Sequence, residues 1–194
     1  MEIFIATANE HKVAEFKAML APLGYQIKSL NDLPEKIEIE ENGQSFEENA
    51  LIKARAIAEK FGIVAISDDS GLEIDALDKQ PGIYSARFLG YDTPYEQKNQ
   101  QILQMMKDKD DRTCRFVCAM AICYPDGQNH VVKGTIEGYV ADQIEGPNGF
   151  GYDPIFYYPP FKTTLANVDP SLKNSVSHRH NALVALLEHL NESK

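Results

Sequence analysis

The chain has 194 residues, 43% hydrophobic and 25% charged, which is enough apolar material for one globular domain with its own core. Its 29 acids outnumber 19 bases for a net charge of −10, with no basic tract. Bulk DNA or RNA, held mainly by clustered lysine and arginine, is excluded as a partner, and a small anion could bind only beside local cations or a divalent metal.

No apolar run reaches the ~18 residues needed to cross a bilayer, so no membrane partner is expected. The opening residues, MEIFIATANEHK, carry neither a basic leader nor a cleavage site, which predicts no secretory signal. Cys114, Cys118 and Cys123 lie on one apolar stretch without histidines at zinc-finger spacing. They read as core residues of a protein in a reducing cytoplasm, not as a disulfide framework or a structural metal site.

In chain order, IFIAT (3–7) reads as a short buried strand. It leads into a helix from about Asn9, with Val13, Phe16, Leu20 and Leu23 on one apolar face and an end at Pro22 and Gly24. A clearer helix covers 46–61, where Ser45 and Glu48 form a capping-box pattern. Phe46, Ala50, Ala54, Ile57 and Phe61 share its apolar stripe, and Asn49 and Lys53 lie together at the edge. GIVAI (62–66) predicts a second buried strand that ends at SDDSG (67–71), and 93–108 predicts a helix. Residues 113–141 read as two long strands joined by a Pro-Asp-Gly turn. Residues 145–154 form a glycine-rich loop, and the last helix starts near Ser177 and runs through Leu183, Leu186, Leu187 and Leu190. Early alternation of helix and strand, followed by a long hairpin, predicts an α/β fold: a mixed twisted sheet with flanking helices.

In open α/β sheets, ligands gather beyond the carboxyl ends of the strands, where two predicted strands here run into polar loops. TANEHK (7–12) places Thr7, Asn9 and Lys12 around a helix N-terminus, whose free N–H groups and dipole favour an anion. The plainer alternative is an N-cap with a solvated lysine. In SDDSG, Asp68 and Asp69 alternate in direction if extended. One can then hold Mg²⁺, which takes one or two carboxylates and lets phosphates complete its shell, while the other caps or orients. Ser70 and Gly71 allow a tight turn, and a surface turn rich in Asp and Gly is the alternative. Glu40 and Glu41, ahead of the capped helix, read by themselves as a solvated face. GPNGFGYDP (146–154) surrounds Phe150, Tyr152 and Asp153 with three glycines and two prolines. Such a loop can stack a flat heterocycle and read its edge, or plug the core with its aromatics. LKNSVSHRHN (172–181) gathers Lys173, His178, Arg179 and His180 around a helix start, where cations are disfavoured. An anionic or carbonyl-bearing group opposite, or a salt-bridged surface, would account for them.

Taken together, TANEHK, EENGQSFEENALIKA, SDDSGLEIDAL, PGIYSARF, GFGYDPIF and KNSVSHR resemble the Ham1/inosine triphosphate pyrophosphatase family, in its order and spacing, over almost the whole chain. The resemblance implies a single domain, 1–194, of two lobes around a nucleotide-binding cleft, and a homodimer. It also implies an Mg²⁺-dependent cleavage, one ion per subunit with Mn²⁺ as an alternative, of ITP, dITP and XTP to monophosphate and pyrophosphate. Carried over by position, Thr7, Ala8, Asn9, Glu10, His11 and Lys12 hold phosphate, and Glu41 and Asp69 hold metal. Asp69 is also the implied proton acceptor, and Ser70 contacts substrate. Phe150, Gly151, Tyr152, Asp153, Lys173, His178 and Arg179 hold the base. The chain departs from the family pattern at Ala8, at Asn167 in place of an acid, and at His180 in place of glycine.

The chemistry agrees with these expectations. A triphosphate repels an attacking water, and a metal on Glu41 and Asp69, with Lys12 and Lys53 nearby, would neutralise that charge. Metal binding weakens an aspartate as a base, so either Asp68 or Asp69 takes the proton while its neighbour and Glu41 hold metal. Lys173 and Arg179, both donors, would bond a 6-oxo group and meet a 6-amino group donor to donor. Two other readings stay open. A non-catalytic nucleotide sensor is opposed by the intact acids, and another metal-dependent phosphohydrolase by the aromatic-glycine loop.

Overall fold

The computed structural model describes residues 2–35 and 37–192. Its strands are β1 (Glu2–Ile5), β2 (Gln26–Ser29), β3 (Ala65–Ile74), β4 (Thr113–Cys123), β5 (Asn129–Val140), β6 (Phe156–Tyr158) and β7 (Thr163–Thr164). The helices are α1 (Glu10–Leu20), α2 (Phe46–Phe61), α3 (Tyr95–Met105), α4 (Pro170–Asn174) and α5 (His178–Glu192). The seven strands pair in the order β2-β1-β3-β4-β5-β6-β7. β1 is parallel to β2 and β3, while β5, β6 and β7 are antiparallel neighbours. The sheet is therefore mixed, as the alternation of elements predicts.

Local chemistry explains most element ends. Asn9 caps α1 by accepting from the N–H groups of His11 and Lys12 at 3.0 and 3.3 Å. The helix stops at Leu20; Ala21–Leu23 form a separate 3₁₀ turn, and Leu23 is exposed instead of sharing the apolar face. Pro22 explains the break, since it offers no N–H to continue the ladder. Ser45 Oγ accepts from Glu48 N at 3.1 Å to start α2, and Gly62, at φ 64, closes it. Phe46, Ala50, Ala54 and Ile57 are buried as the stripe predicts, but Phe61 at the last position is exposed.

The largest difference from expectation is β3. It does not end at the acids but runs through Asp68, Asp69, Ser70 and Gly71 to Ile74. The acids are thus mid-strand and almost wholly buried, a placement that only paired charges permit. β2, with Gln26 and Lys28 exposed, and the five-residue α4 were not expected either.

The chain divides into two compact units. Unit 1 comprises Met1–Asp69, Cys118–Gly134 and Arg179–Lys194, and Ile5, Phe16, Leu20, Ile66, Met120, Ile122 and Leu186 form its core. Unit 2 comprises Ser70–Val117 and Thr135–His178. Its core includes Leu72, Ile74, Ile102, Met106, Ile136 and Leu165, with Phe116 stacked on Phe156 at 4.5 Å. All three cysteines are buried free thiols, and burial pushes Cys118 up to about 12, so they pack as neutral core residues. Among the described residues no helix is long and apolar enough to cross a membrane.

In unit 2, Arg115 on β4 forks onto Asp75 at 2.8 and 3.0 Å and reaches Glu137 at 3.0 Å. The Arg115 and Lys79 hydrogen bonds hold the Asp75 carboxyl well below its ordinary 3.8. A carboxylate depressed on folding contributes stability that is complete above its unfolded pKa and lost as pH falls through the folded one. Stability is therefore expected to decline below about pH 4, and Asp75→Asn should flatten that decline, as read by urea midpoints between neutral pH and about pH 3.

Candidate active site

In unit 1, three elements converge on Asp68, which is fully buried on β3. Lys12 Nζ, from the first turn of α1, lies 2.9 Å from Asp68 Oδ2. Arg179, from the first turn of α5, donates to the same oxygen through Nη2 at 3.0 Å and Nε at 3.3 Å. Its Nη1 donates to Glu15 of α1, itself buried. Burial works to raise the Asp68 pKa, but Lys12, Arg179 and Lys53 outweigh it and hold the carboxyl well below the usual carboxylate range. Asp68 is a fixed anion. Its other oxygen, Oδ1, is buried without a hydrogen-bond partner among the described residues.

Asp69 has the opposite tendency. Burial pushes its pKa up, beyond the opposing pull of Lys53 and Lys12. Lys53, mostly buried on α2, places Nζ 3.7 Å from Asp69 Oδ1 and 3.0 Å from Glu41 Oε2. Burial would lower the Lys53 pKa, but Asp69, Glu41 and Asp68 more than offset it, so the ammonium stays charged between the acids. The loop bearing Glu41 is held by Asn49 of α2, which accepts from Gly43 N at 2.9 Å. A Cβ on Gly43 would lie 2.7 Å from Asn49 Oδ1 and 2.8 Å from Glu48 Cβ, so only glycine lets the loop close this tightly.

The 7–12 segment is preorganised in the same unit. Thr7 Oγ1 accepts from Asn9 N at 3.2 Å, Thr7 O from Leu30 N at 3.2 Å, and Ala8 O from Asn31 Nδ2 at 3.1 Å. Ala8, Asn9, Glu10 and His11 are exposed at the start of α1. Lys12 is not the solvated lysine of the plainer alternative; it is paired with Asp68.

Unit 2 holds the glycine-rich loop. Asp153 Oδ2 accepts from Phe150 N at 2.9 Å and from Lys173 Nζ at 2.6 Å. That ammonium lies 4.7 Å from the centre of the Phe150 ring, within cation–π range. The two aromatics divide the alternatives between them. Tyr152 is buried, with its hydroxyl donating to Ser85 O at 2.6 Å and its ring edge-on to Tyr95 at 5.2 Å. Phe150 stays half-buried. Lys173 sits in the last turn of α4, where a cation suits the helix dipole, and not at a helix start as expected. His178 begins α5 and stacks on Phe116 at 4.9 Å. Ser70 lies half-buried within β3. Asn167 is exposed and donates to Thr163 Oγ1 at 3.0 Å, and His180 is half-buried in the first turn of α5.

Gly146 threads the loop past its neighbour. A Cβ there would lie 2.4 Å from the Ala166 carbonyl carbon, and φ is +100. Gly146→Ala is therefore expected to cost at least about 1–3 kcal/mol of stability, measured as a lowered urea midpoint.

The expected residues thus fall into two sets. Thr7–Lys12, Glu41, Lys53, Asp68 and Asp69 belong to unit 1; Ser70, Phe150, Gly151, Tyr152, Asp153, Lys173 and His178 belong to unit 2. Arg179, expected to hold the base alongside Lys173, is in unit 1 with its guanidinium bonded to Asp68 and Glu15. The sequence reading missed Glu15, whose only signal, an acid just before Phe16, looks like any solvated helix charge. Asn49 lies at the edge of the apolar stripe of α2, and an amide there is the one signal of its role in holding Gly43.

Residues 3–189 match the model of the Ham1 family. A protein named dITP/XTP pyrophosphatase from Bacillus licheniformis is 47% identical over 192 residues, covering 95% of each chain. Another of that name, from Halalkalibacterium halodurans, is 46% identical over 187 residues, covering 95% of this chain and 96% of its own. The solved structure of the Staphylococcus aureus Ham1 protein superposes with a TM-score of 0.90 at 40% identity, covering 100% of both chains. Matches of this extent, in sequence and in structure alike, place the chain in the Ham1 family.

Proposed function

We propose that the chain is a divalent-metal-dependent pyrophosphohydrolase that cleaves deaminated purine triphosphates (ITP, dITP and XTP) to monophosphate and pyrophosphate. The arrangement that supports this most directly is Lys53 between Glu41 and Asp69, at 3.0 and 3.7 Å, next to an Asp68 anchored by Lys12 and Arg179. Relatives named dITP/XTP pyrophosphatase support the choice of substrate. We further assign a homodimer, a cytoplasmic setting and a role in clearing damaged purines from the nucleotide pool.

The residues fit Mg²⁺. Among the described residues no three or more His, Cys, Asp and Glu side chains gather into an all-protein metal cage. Mg²⁺ needs none, because one or two carboxylates suffice when phosphates and water complete its shell. Glu41 and Asp68 Oδ1, buried and unpartnered among the described residues, offer such oxygens, which leaves Asp69 to act as the base. When bound, the ion would draw charge from the phosphate oxygens and favour departure of pyrophosphate.

The chain's own groups do the rest. The α1 N-terminus, with Thr7–Lys12, offers N–H groups and an ammonium to phosphate oxygens, and Lys53 adds a second cation. Asp69 takes the proton of the attacking water at its carboxylate, since burial raises its basicity while Asp68 is depressed by three cations, Lys12, Arg179 and Lys53. In unit 2, Phe150 supplies a ring face for the purine. Lys173, held by Asp153, donates to a 6-oxo group and repels a 6-amino group. We assign Arg179 to fixing Asp68 in place of reading the base.

The test is the purified protein with ITP and Mg²⁺, measuring phosphate and pyrophosphate, with ATP alongside. One pyrophosphate per IMP is expected, with ATP slower by about 10²–10⁴-fold and no turnover in excess EDTA. Release of orthophosphate, or binding of ITP without turnover, would overturn the reading in favour of another phosphohydrolase or a sensor.

A further inference from the structure

α3 in unit 2 is mostly polar, and two of its three buried residues, Lys98 and Asn99, are polar as well. Packing alone would favour leucine or alanine at such positions, so each amide or amine there calls for a partner. Lys98 Nζ donates to Ala86 O at 2.6 Å and lies 4.7 Å from the Tyr95 ring centre. Asn99 Nδ2 donates to Gly151 O at 3.1 Å. Consecutive residues of one helix thus tie down two loops of the unit, which are also joined directly by the Tyr152 hydroxyl on Ser85 O.

Asn99 matters more for the base loop. Gly149 and Gly151 both have positive φ, +73 and +65, so the chain on either side of Phe150 turns at little local cost. Within the loop Asp153 bonds the Phe150 backbone, and Ser85 draws the Tyr152 hydroxyl inward. The Gly151 carbonyl lies between the two aromatics, and Asn99, from outside the loop, bonds it and fixes its direction. A flipped amide would set Oδ1 against the carbonyl oxygen, so the donor assignment follows from the contact. Asn99 Oδ1 is buried with no partner among the described residues. That is a cost an apolar side chain would avoid, so stability alone does not favour asparagine here.

We infer that Asn99 is a positioning residue for base recognition, acting through the Gly151 carbonyl to set the Phe150 ring and Lys173 against the purine. The inference rests on the reading of the 146–153 loop as the base site. Its reach is confined to that loop: the phosphate-handling residues of unit 1 do not depend on it.

Two variants test it. Asn99→Leu removes the donor and keeps the volume; Asn99→Asp keeps the shape and turns an acceptor toward Gly151 O. In both, KM for ITP is expected to rise about 10-fold with kcat changed less than about 2-fold, and the ITP-over-ATP ratio of kcat/KM to narrow about 10-fold. Inhibition by inorganic pyrophosphate should be unchanged. A purely structural role would instead lower kcat and leave KM alone, in step with the folded fraction. Phe150→Ala separates the two levels. If it leaves KM for ITP at the wild-type value, the base-loop reading fails. If it raises KM while both Asn99 variants keep wild-type KM and preference, the inference about Asn99 is overturned and the loop reading stands. Should Asn99→Leu not fold, Asn99→Asp decides on the same measurements, and failure of both to fold makes Asn99 a folding residue and overturns the inference.

Discussion

Asp69→Asn is expected to lower kcat for ITP hydrolysis by about 10³-fold, the usual cost of removing a positioned general base. The amide cannot take the proton of the attacking water; were Asp69 a metal ligand instead, the same change would weaken metal binding. These two cases separate in a metal titration. If restoring saturation with excess Mg²⁺ recovers most of the rate, Asp69 serves chiefly as a ligand; if the rate stays low at saturation, it is the proton acceptor. Asn is nearly isosteric with Asp, and the Lys53–Asp69 contact at 3.7 Å is longer than the Lys12–Asp68 contact at 2.9 Å, so the fold is expected to survive. Near-normal turnover in this variant would overturn the assignment of the base.

Arg179→Met should act mainly on stability, by about 3–5 kcal/mol, because removing one partner of a buried ionic network strands the others. Arg179 is fully buried and bonds both Asp68 and Glu15. Without it Asp68 retains Lys12 at 2.9 Å, and Glu15 loses the guanidinium. The measurement is the urea midpoint, with m-values checked for constancy. Arg179→Lys should recover only part of the loss, since one ammonium cannot replace a planar fork on two carboxylates. If Arg179→Met instead kept wild-type stability and lost only base preference, Arg179 would belong to base recognition, as the sequence pattern implied.

The bond of Arg179 to Asp68 also shows why the choice between neighbouring acids depends on tertiary structure. Asp68 and Asp69 are the same residue type, one position apart. What separates them is Lys12 and Arg179, both remote in sequence, Arg179 by 111 residues. The same holds for the strand that carries them. Aspartate and glycine are poor strand formers, so a reading from residues ends β3 at the acids. In the fold, paired cations remove the cost of burying them, and the strand continues to Ile74. The two loop aromatics behave alike. Either could have plugged the core, and Tyr152 does so because Ser85 supplies an acceptor for its hydroxyl, while Phe150, with no polar tip to satisfy, stays at the edge.

The amino-acid order was sufficient for whatever depends on residues within a few positions of one another. This covers the Ser45 cap and apolar stripe of α2, the Asn9 cap of α1, the Pro-Asp-Gly hairpin turn, and the set of motifs that mark the family. Side-chain spacing along a helix or turn settles such features, and no distant partner is needed. Tertiary structure alone decided which acid is anchored and which is left basic, where the Arg179 guanidinium goes, and that Lys173 ends one helix instead of starting another. The energy of a buried charge is set by what surrounds it, and those surroundings come from parts of the chain that meet only on folding.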